Sequence, residues 1–139
     1  MENIEYAVGE IELSSARFVM GKVNPYMSTH KFVVSEDAGK RAIYVSPAES
    51  HFGVVERFGL NQEKMIGGGS IYIDEQGRLI FAGNSACYGT ISNSDAKKFG
   101  ELIAPELKKI GIPFTKIVAD TSEWYFPYQE GTFSYREQI

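Results

Sequence analysis

Short runs of apolar residues alternate with polar breaks along the first third of the chain, a pattern typical of β-strands. The sequence predicts strands over residues 11–13, 17–23 and 31–34. The pattern is broken by Gly21, by Asn24-Pro25 and by the polar stretch SEDAGK at residues 35–40. A further short strand is predicted over residues 42–45. We expect these strands to pair antiparallel.

A first helix is predicted to begin directly after these strands. The stretch SPAE at residues 46–49 offers a capping serine, a proline suited to the first helical position and a glutamate that completes a capping box. The helix would carry His51. It is expected to end near Phe58, because Gly59 follows and glycine is favoured just past a helix end.

A β-hairpin is the clearest local feature of the second half of the chain. Residues 70–74 and 78–82 are β-prone, and the turn DEQG between them places Gly77 where a positive φ is needed. A last strand is predicted over residues 115–119. Mostly strands with two inserted helices indicate an α+β fold with a mixed or antiparallel sheet.

The second helix is predicted to begin near Ser92 or Asn93, either of which can cap it. Pro105 should kink this helix or split it in two, and Gly111 should stop it. Apolar residues at helical spacing form its expected buried face, namely Ala96, Phe99, Leu102, Ile103, Leu107 and Ile110. The expected solvent face consists of Lys97, Lys98, Glu101, Lys108 and Lys109.

Composition and length fit one globular domain over residues 1–139. The chain has 139 residues, too few for two domains of usual size. Of these residues, 43% are hydrophobic and 23% are charged, a composition too apolar for a disordered chain. Residues 121–139 form an aromatic C-terminal segment. We expect this segment to pack on the domain or on a partner subunit, as in a homodimer.

Charge and cysteine content exclude several kinds of partner. The chain has 18 acidic and 14 basic residues, which give a formal net charge of -4. This negative charge disfavours a nucleic acid as partner. The acidic N-terminus does not resemble a signal peptide, and no apolar run approaches the ~20 residues of a membrane span, so a cytoplasmic location is expected. One cysteine and two histidines lack metal-ligand spacing, and neither metal nor cofactor is expected.

His51 is the main candidate for chemistry, because it lies near a helix start, where backbone N–H groups attract an anion. It could act as general base or accept a phosphoryl group. The alternative is a packed histidine whose nitrogens are hydrogen-bonded. His30 looks structural.

The loop at residues 83–89 is the second candidate. Its backbone N–H groups could cradle an oxyanion with the Ser85 hydroxyl as an extra donor, or it could merely connect two elements. Cys87 is interpreted as a small loop residue. The glycines at residues 67–69 match no nucleotide-binding motif and indicate a bulge or the close approach of another backbone. Four basic residues could neutralise an anion or lie on the surface: Arg17, Lys22, Arg41 and Arg78.

Three stretches together resemble the Janus/phosphohistidine phosphatase family: AESH at residues 48–51, GGGSIYIDEQGRLIFAGNSACYG at residues 67–89, and KIVAD at residues 116–120. The most specific part is a triple glycine, a hairpin and a Gly-x-Ser-x-x-Tyr-Gly loop. Members are small single-domain α/β proteins that remove phosphate from histidine without a metal.

The resemblance implies His51 as the catalytic histidine. It implies Ser85 and the backbone of Ala86 and Cys87 as phosphate contacts, and Arg17 as the cation on an early strand. The family phosphatases carry a basic residue directly after the triple glycine, whereas this chain has Ser70, so a phosphate-binding charge is expected to be missing.

We therefore expect a metal-independent phosphatase acting on phosphohistidine or a related small phosphorylated group. Its partner would be a phosphorylated protein or a small phosphate ligand. The alternative is a non-catalytic module that retains the fold and binds a small anion or another protein. Ser70 and the aromatic C-terminus favour this alternative.

Overall fold

The structure is a computed structural model that describes residues 3–14, 29–48, 50–73, 77–82, 88–114, 116–120 and 137–138. Within these residues, strands and helices follow each other in this order: β1 Glu5–Ile11, β2 Thr29–Asp37, β3 Lys40–Ala48, α1 His51–Phe58, β4 Met65–Ile73, β5 Leu79–Ala82, α2 Asn93–Lys109, β6 Ile117–Asp120 and β7 Glu137–Gln138. A 3-10 helix at Gln62–Lys64 leads from α1 into β4.

The strands form one mixed sheet of seven strands in the order β1-β3-β2-β4-β5-β6-β7. β1 pairs parallel with β3, and β5 pairs parallel with β6. The four other neighbouring pairs are antiparallel. With its two helices, this arrangement confirms the predicted α+β class and the mixed sheet.

The two helices cover opposite faces of the sheet. Phe32 and Val34 of β2 pack in one apolar cluster with α2, whereas Val33 between them packs with Val54 and Val55 of α1. Because side chains alternate along a strand, neighbouring residues of β2 serve different faces. We refer to these surfaces as the α2 face and the α1 face of the sheet.

The α2 face carries the main core. The fully buried residues of its apolar cluster come from four strands and from α2: Phe32, Val34, Ile43, Val45, Ile71, Ile73, Leu79, Phe81, Ala96, Phe99, Ile103 and Leu107. On the α1 face, a smaller apolar cluster from β4, β5 and β6 lies beside the residues under α1: Tyr72, Ile80, Ala82 and Val118.

A half-buried charge network attaches the start of α2 to the sheet. The guanidinium of Arg41 donates to both carboxylate oxygens of Asp95, at 3.0 and 2.9 Å, and to Glu36 at 2.7 Å. The Tyr6 hydroxyl also donates to Asp95, at 2.7 Å, and this bond raises the pKa of Tyr6. Arg41, one of the basic residues considered for anion binding, is therefore engaged in a structural ion pair.

The prediction for the first strand is wrong, since β1 occupies residues 5–11 rather than residues 11–13. Its position is set by parallel pairing with β3, in which Glu5 lies opposite Lys40. A partner that far along the chain is invisible to local periodicity. The strand predicted over residues 17–23 lies outside the described residues. The strands predicted over residues 31–34 and 42–45 are confirmed and antiparallel, and each extends further in both directions.

The predicted start of the first helix is also wrong. β3 continues through Ser46 and Pro47, which pair with Lys31 and His30 of β2. β1 accompanies β3 only as far as Val45, so the missing N–H of Pro47 removes no bond to β1. The helix instead begins at His51, where the Ser50 hydroxyl accepts from the Gly53 N–H at 3.0 Å. Its predicted end is confirmed by Gly59, with φ 62°.

The second helix starts as predicted, because the hydroxyl of Ser92 accepts from the Asp95 N–H at 3.1 Å. It runs unbroken through Pro105, which excludes the split, one of the two alternatives predicted for this proline, and leaves the kink as a prediction. The carbonyl that loses its partner to this proline belongs to Glu101, an exposed residue where water can replace the bond. Gly111, with φ 77°, follows the end of the helix as predicted.

Most of the predicted faces of α2 are confirmed. Ala96, Phe99, Ile103 and Leu107 are buried, and the five charged residues of the predicted solvent face are exposed. Leu102 and Ile110 were placed in the core wrongly, since they are 37% and 40% exposed.

The hairpin is confirmed: β4 pairs antiparallel with β5, and Gly77 has φ 74°. The strand predicted over residues 115–119 corresponds to β6, but it is not the last one, because β7 pairs with it. Apart from β7, the aromatic segment at residues 121–139 lies outside the described residues, so its packing stays a prediction.

Candidate active site

A row of three buried polar side chains crosses the α1 face at one level. Lys31 of β2 lies in register with Ser46 of β3 on one side and with Ser70 of β4 on the other. The three residues are 5%, 2% and 5% exposed. Directly opposed side chains in a sheet are about 5 Å apart at Cβ, so this register alone brings the three together.

The ammonium of Lys31 is the positive charge of this row. Its Nζ donates to the Ser70 hydroxyl at 3.1 Å. Burial lowers the pKa of Lys31 from its ordinary value, because a desolvated ammonium is less stable than a hydrated one. The Ser46 hydroxyl is buried and has no hydrogen-bond partner among the described residues. Such a group retains its capacity to bind a ligand atom.

His51 reaches the same place from α1. As the first residue of that helix it lies over β4, and its Nε2 is 2.8 Å from the carbonyl oxygen of Gly69, the residue before Ser70. The Ser50 cap holds the first turn of α1 and so fixes the backbone position from which the His51 side chain extends. His51 and the buried lysine therefore meet at two consecutive residues of one strand.

The contact with Gly69 determines the tautomer of His51. A carbonyl oxygen can only accept, so Nε2 carries the proton and Nδ1 holds the free electron pair. Burial, opposed by the bond to Gly69 and assisted by the nearby charge of Lys31, lowers the pKa of His51 to about 4. The ring is thus neutral at pH 7, and Nδ1 has no hydrogen-bond partner among the described residues. A neutral imidazole with a free Nδ1 is the form that acts as base or nucleophile.

The triple glycine explains why other backbones can approach this site. A Cβ on Gly69 would collide with the carbonyl oxygen of Ala82, and one on Gly67 would press on Thr90 and Ile91. The prediction that these glycines permit close backbone approach is confirmed. Only a residue without a side chain fits at position 69, which is the residue that binds His51.

The loop at residues 83–87 lies outside the described residues, but both of its flanks end at this site. Ala82 pairs with Ser70, and the carbonyl of Gly89 accepts from the Gly68 N–H at 3.2 Å. The predicted phosphate contacts at Ser85, Ala86 and Cys87 fall within this loop and stay predictions.

Arg17, the cation implied by the resemblance, also lies outside the described residues. Sequence reasoning missed Lys31, which provides a positive charge in the described part of the site. The available signal was a lysine between His30 and Phe32 in a strand whose other residues are β-prone. Ser70 itself carries no charge, but the ammonium of Lys31 reaches its hydroxyl from the neighbouring strand.

His30 has the structural role that its position indicated. It is fully buried, and its Nε2 accepts from the backbone N–H of Ser14 at 3.0 Å. The residue precedes Lys31 on β2, so its side chain lies on the opposite face from the polar row. The two histidines of the chain thus serve different faces of the sheet.

Neither metal nor membrane is indicated by the described part of the chain. There, no group of three or more His, Cys, Asp or Glu side chains is placed to hold a metal ion. No helix in these ranges is long and apolar enough to cross a membrane.

Comparisons of the chain with family models, curated proteins and solved structures found no match.

Proposed function

We propose that this chain is a metal-independent phosphatase that acts on phosphohistidine or a related small phosphorylated group, with a phosphorylated protein as its partner. One observation carries the proposal: a neutral imidazole and a buried ammonium meet at Gly69 and Ser70. The resemblance of the surrounding motifs to phosphohistidine phosphatases points to the same chemistry.

The buried ammonium of Lys31 would hold the phosphoryl oxygens. A charge in a desolvated site attracts an anion far more strongly than the same charge in water. The Ser46 and Ser70 hydroxyls flank the ammonium in the sheet and can donate to the same oxygens. Ser85, Ala86 and Cys87 would complete the cradle from the loop whose flanks end here.

His51 would perform the chemical step through Nδ1. As general base, Nδ1 takes a proton from a water molecule, whose oxygen then attacks phosphorus while the phosphorus–nitrogen bond of the substrate breaks. The released histidine takes up a proton, and inorganic phosphate leaves. As nucleophile, Nδ1 would instead bond to phosphorus while the phosphorus–nitrogen bond of the substrate breaks and the substrate histidine leaves with a proton; water would then hydrolyse the phosphorylated His51 to release inorganic phosphate.

The second candidate is a non-catalytic module that binds a small anion at the same place. The exposure of only 5% at Lys31 and Ser70 favours it, because a narrow entrance admits an anion more easily than a large substrate. Both candidates use Lys31. They differ in whether His51 carries out a reaction.

Hydrolysis of a phosphohistidine peptide by wild type and by His51→Gln tests the proposal. We expect His51→Gln to lose on the order of 10²-fold or more in rate, as is typical for removal of a general base. Glu56→Gln, on the exposed side of the same helix, is the matched control and should retain full activity.

Equal rates for wild type and His51→Gln would remove His51 from the chemistry. If neither protein hydrolyses the peptide, but inorganic phosphate shifts the NMR signals of His51 and Lys31, the non-catalytic module is the correct description. Absence of both hydrolysis and shifts would reject both candidates.

A further inference from the structure

An open cavity of about 560 Å³ lies beside the candidate active site and has no role in the proposed chemistry. Its lining consists of Phe52, Gln62, Glu63 and Tyr88. Phe52 is 46% exposed, more than Leu102 and Ile110, the two other exposed large apolar residues in the described part of the chain. A ring held at the surface beside a reactive histidine suggests contact with a ligand.

The chain itself places this cavity next to the histidine. Phe52 directly follows His51 in α1. On the opposite side, Tyr88 precedes Gly89, whose carbonyl is bonded to Gly68, the neighbour of the glycine that holds His51. A peptide whose phosphorylated residue lies at His51 would therefore pass over the cavity within a few residues.

The lining selects one kind of side chain. The Tyr88 hydroxyl donates to Oε1 of Gln62 at 3.0 Å, which fixes both residues at the rim. The carboxylate of Glu63 is exposed and has no ion-pair partner among the described residues. Two aromatic rings beside an unneutralised carboxylate suit a cation on an apolar stem, and a guanidinium uses both features better than an ammonium.

We propose that this cavity is a specificity subsite that binds an arginine side chain of the substrate, close in sequence to the phosphorylated residue. Glu63 pairs with the guanidinium, and Phe52 and Tyr88 pack against its plane and its stem. The inference rests on the proposed function for the phosphorylated residue, but the arginine contact itself can be measured without any reaction.

Steady-state kinetics with two phosphohistidine peptides tests the subsite. The peptides carry either arginine or its neutral isostere citrulline, moved through the positions flanking the phosphorylated residue. At one position we expect arginine to lower KM about fivefold relative to citrulline with kcat unchanged, the size typical of one exposed ion pair with a cation–π contact.

Variants locate the effect in the cavity. Glu63→Gln should abolish the preference for arginine, and Phe52→Ala should raise KM for both peptides. Glu56→Gln removes an exposed carboxylate from α1, the helix of Phe52, outside the cavity and should keep the full preference. No preference in wild type, or the same preference in Glu63→Gln, would overturn the proposal.

Binding of the unphosphorylated peptides separates this inference from the proposed function. We expect the arginine peptide to shift the NMR signals of Phe52 and Tyr88 more than the citrulline peptide does, even in His51→Gln. If no phosphohistidine peptide is hydrolysed but these shifts occur, the phosphatase proposal fails and the subsite stands. If hydrolysis occurs without any difference between the peptides, the subsite proposal fails alone.

Discussion

The two faces of the sheet are built from the same strands but have opposite chemistry. On the α2 face, the core cluster between the strands and the helix is apolar and fully or almost fully buried, and among the described residues polar groups are confined to His30 and to the network of Arg41 with Asp95. On the α1 face, the row of Lys31, Ser46 and Ser70 is almost as deeply buried, yet it is polar and charged. Burying apolar surface stabilises a fold, whereas burying a charge costs free energy.

The difference indicates a division of roles. The apolar cluster of the α2 face can supply the free energy of folding, while the α1 face holds a desolvated ammonium and a neutral imidazole, which under the proposed function serve binding and catalysis. Changes on the α2 face should therefore alter stability at constant activity per folded molecule. Removal of the charge or of the imidazole on the α1 face should instead alter phosphate binding or activity without loss of stability, and the following predictions test that separation.

Phe99→Ala should have the largest effect on stability. Phe99 is fully buried in α2 and meets the Tyr6 ring edge-on, with centroids 5.4 Å apart. Its truncation should lower the free energy of unfolding by about 3–5 kcal/mol, measured by urea denaturation. The milder Phe99→Leu should cost about 1 kcal/mol and leave kcat unchanged. A loss of kcat in the folded Leu variant would contradict the separation of the two faces.

Lys31→Met should show the opposite pattern. Phosphate affinity, measured by calorimetric titration, should fall about tenfold or more, because a charged hydrogen bond to the ligand is lost. The free energy of unfolding should stay equal or rise, since an apolar side chain replaces a buried charge. Lys64→Met, at an exposed lysine paired with Asp37, is the control and should retain affinity. A large loss of stability in Lys31→Met would make Lys31 a structural residue.

The pH dependence should follow the low pKa of His51. Hydrolysis needs the neutral ring, so the acid limb of kcat/KM should lie near pH 4 rather than 6.5. The free energy of unfolding should decrease as the pH is lowered from 6.5 to 4, because in that range His51 takes up a proton only in the unfolded chain. Lys31→Met should move the acid limb upward, since a positive neighbour is removed. An acid limb near 6.5 in wild type would show that His51 is not desolvated.

The smallest effect is expected for Ser46→Ala. Its hydroxyl has no partner among the described residues, so its removal should change the free energy of unfolding by less than about 0.5 kcal/mol. Ser70→Ala is the matched comparison, because it removes the acceptor of the Lys31 ammonium and should cost about 1–3 kcal/mol. Equal effects of the two alanines on denaturation would show that the bond between Lys31 and Ser70 carries no stability.

Local signals in the sequence predicted the features that depend on a few neighbouring residues. Ser92 as a helix cap, the ends of the helices at Gly59 and Gly111, and the hairpin with Gly77 are all confirmed. Each depends on a hydrogen bond or a positive φ within one turn of chain, which residue type alone can indicate. His51 was selected for the same reason, as a histidine near a helix start.

Local signals failed where strand pairing competed with them. The apparent cap at Ser46 and Pro47 is part of β3, because pairing with β2 provides those residues with partners that a helix start would forfeit. The strand at residues 5–11 exists because β3 lies beside it. In both cases the deciding residue is more than a turn of chain away, so no window of sequence contains the information.

By itself, the sequence of this chain determined the α+β class, the position of the hairpin and the ends of both helices, and it predicted His51 as the candidate for chemistry. Only the tertiary structure decided that Lys31 donates to Ser70, 39 residues away, and that both lie beside the ring of His51. The physical reason is the pairing register of the strands. A shift of one residue in this register moves every side chain of a strand to the other face of the sheet, and the register arises from the packing of the whole sheet.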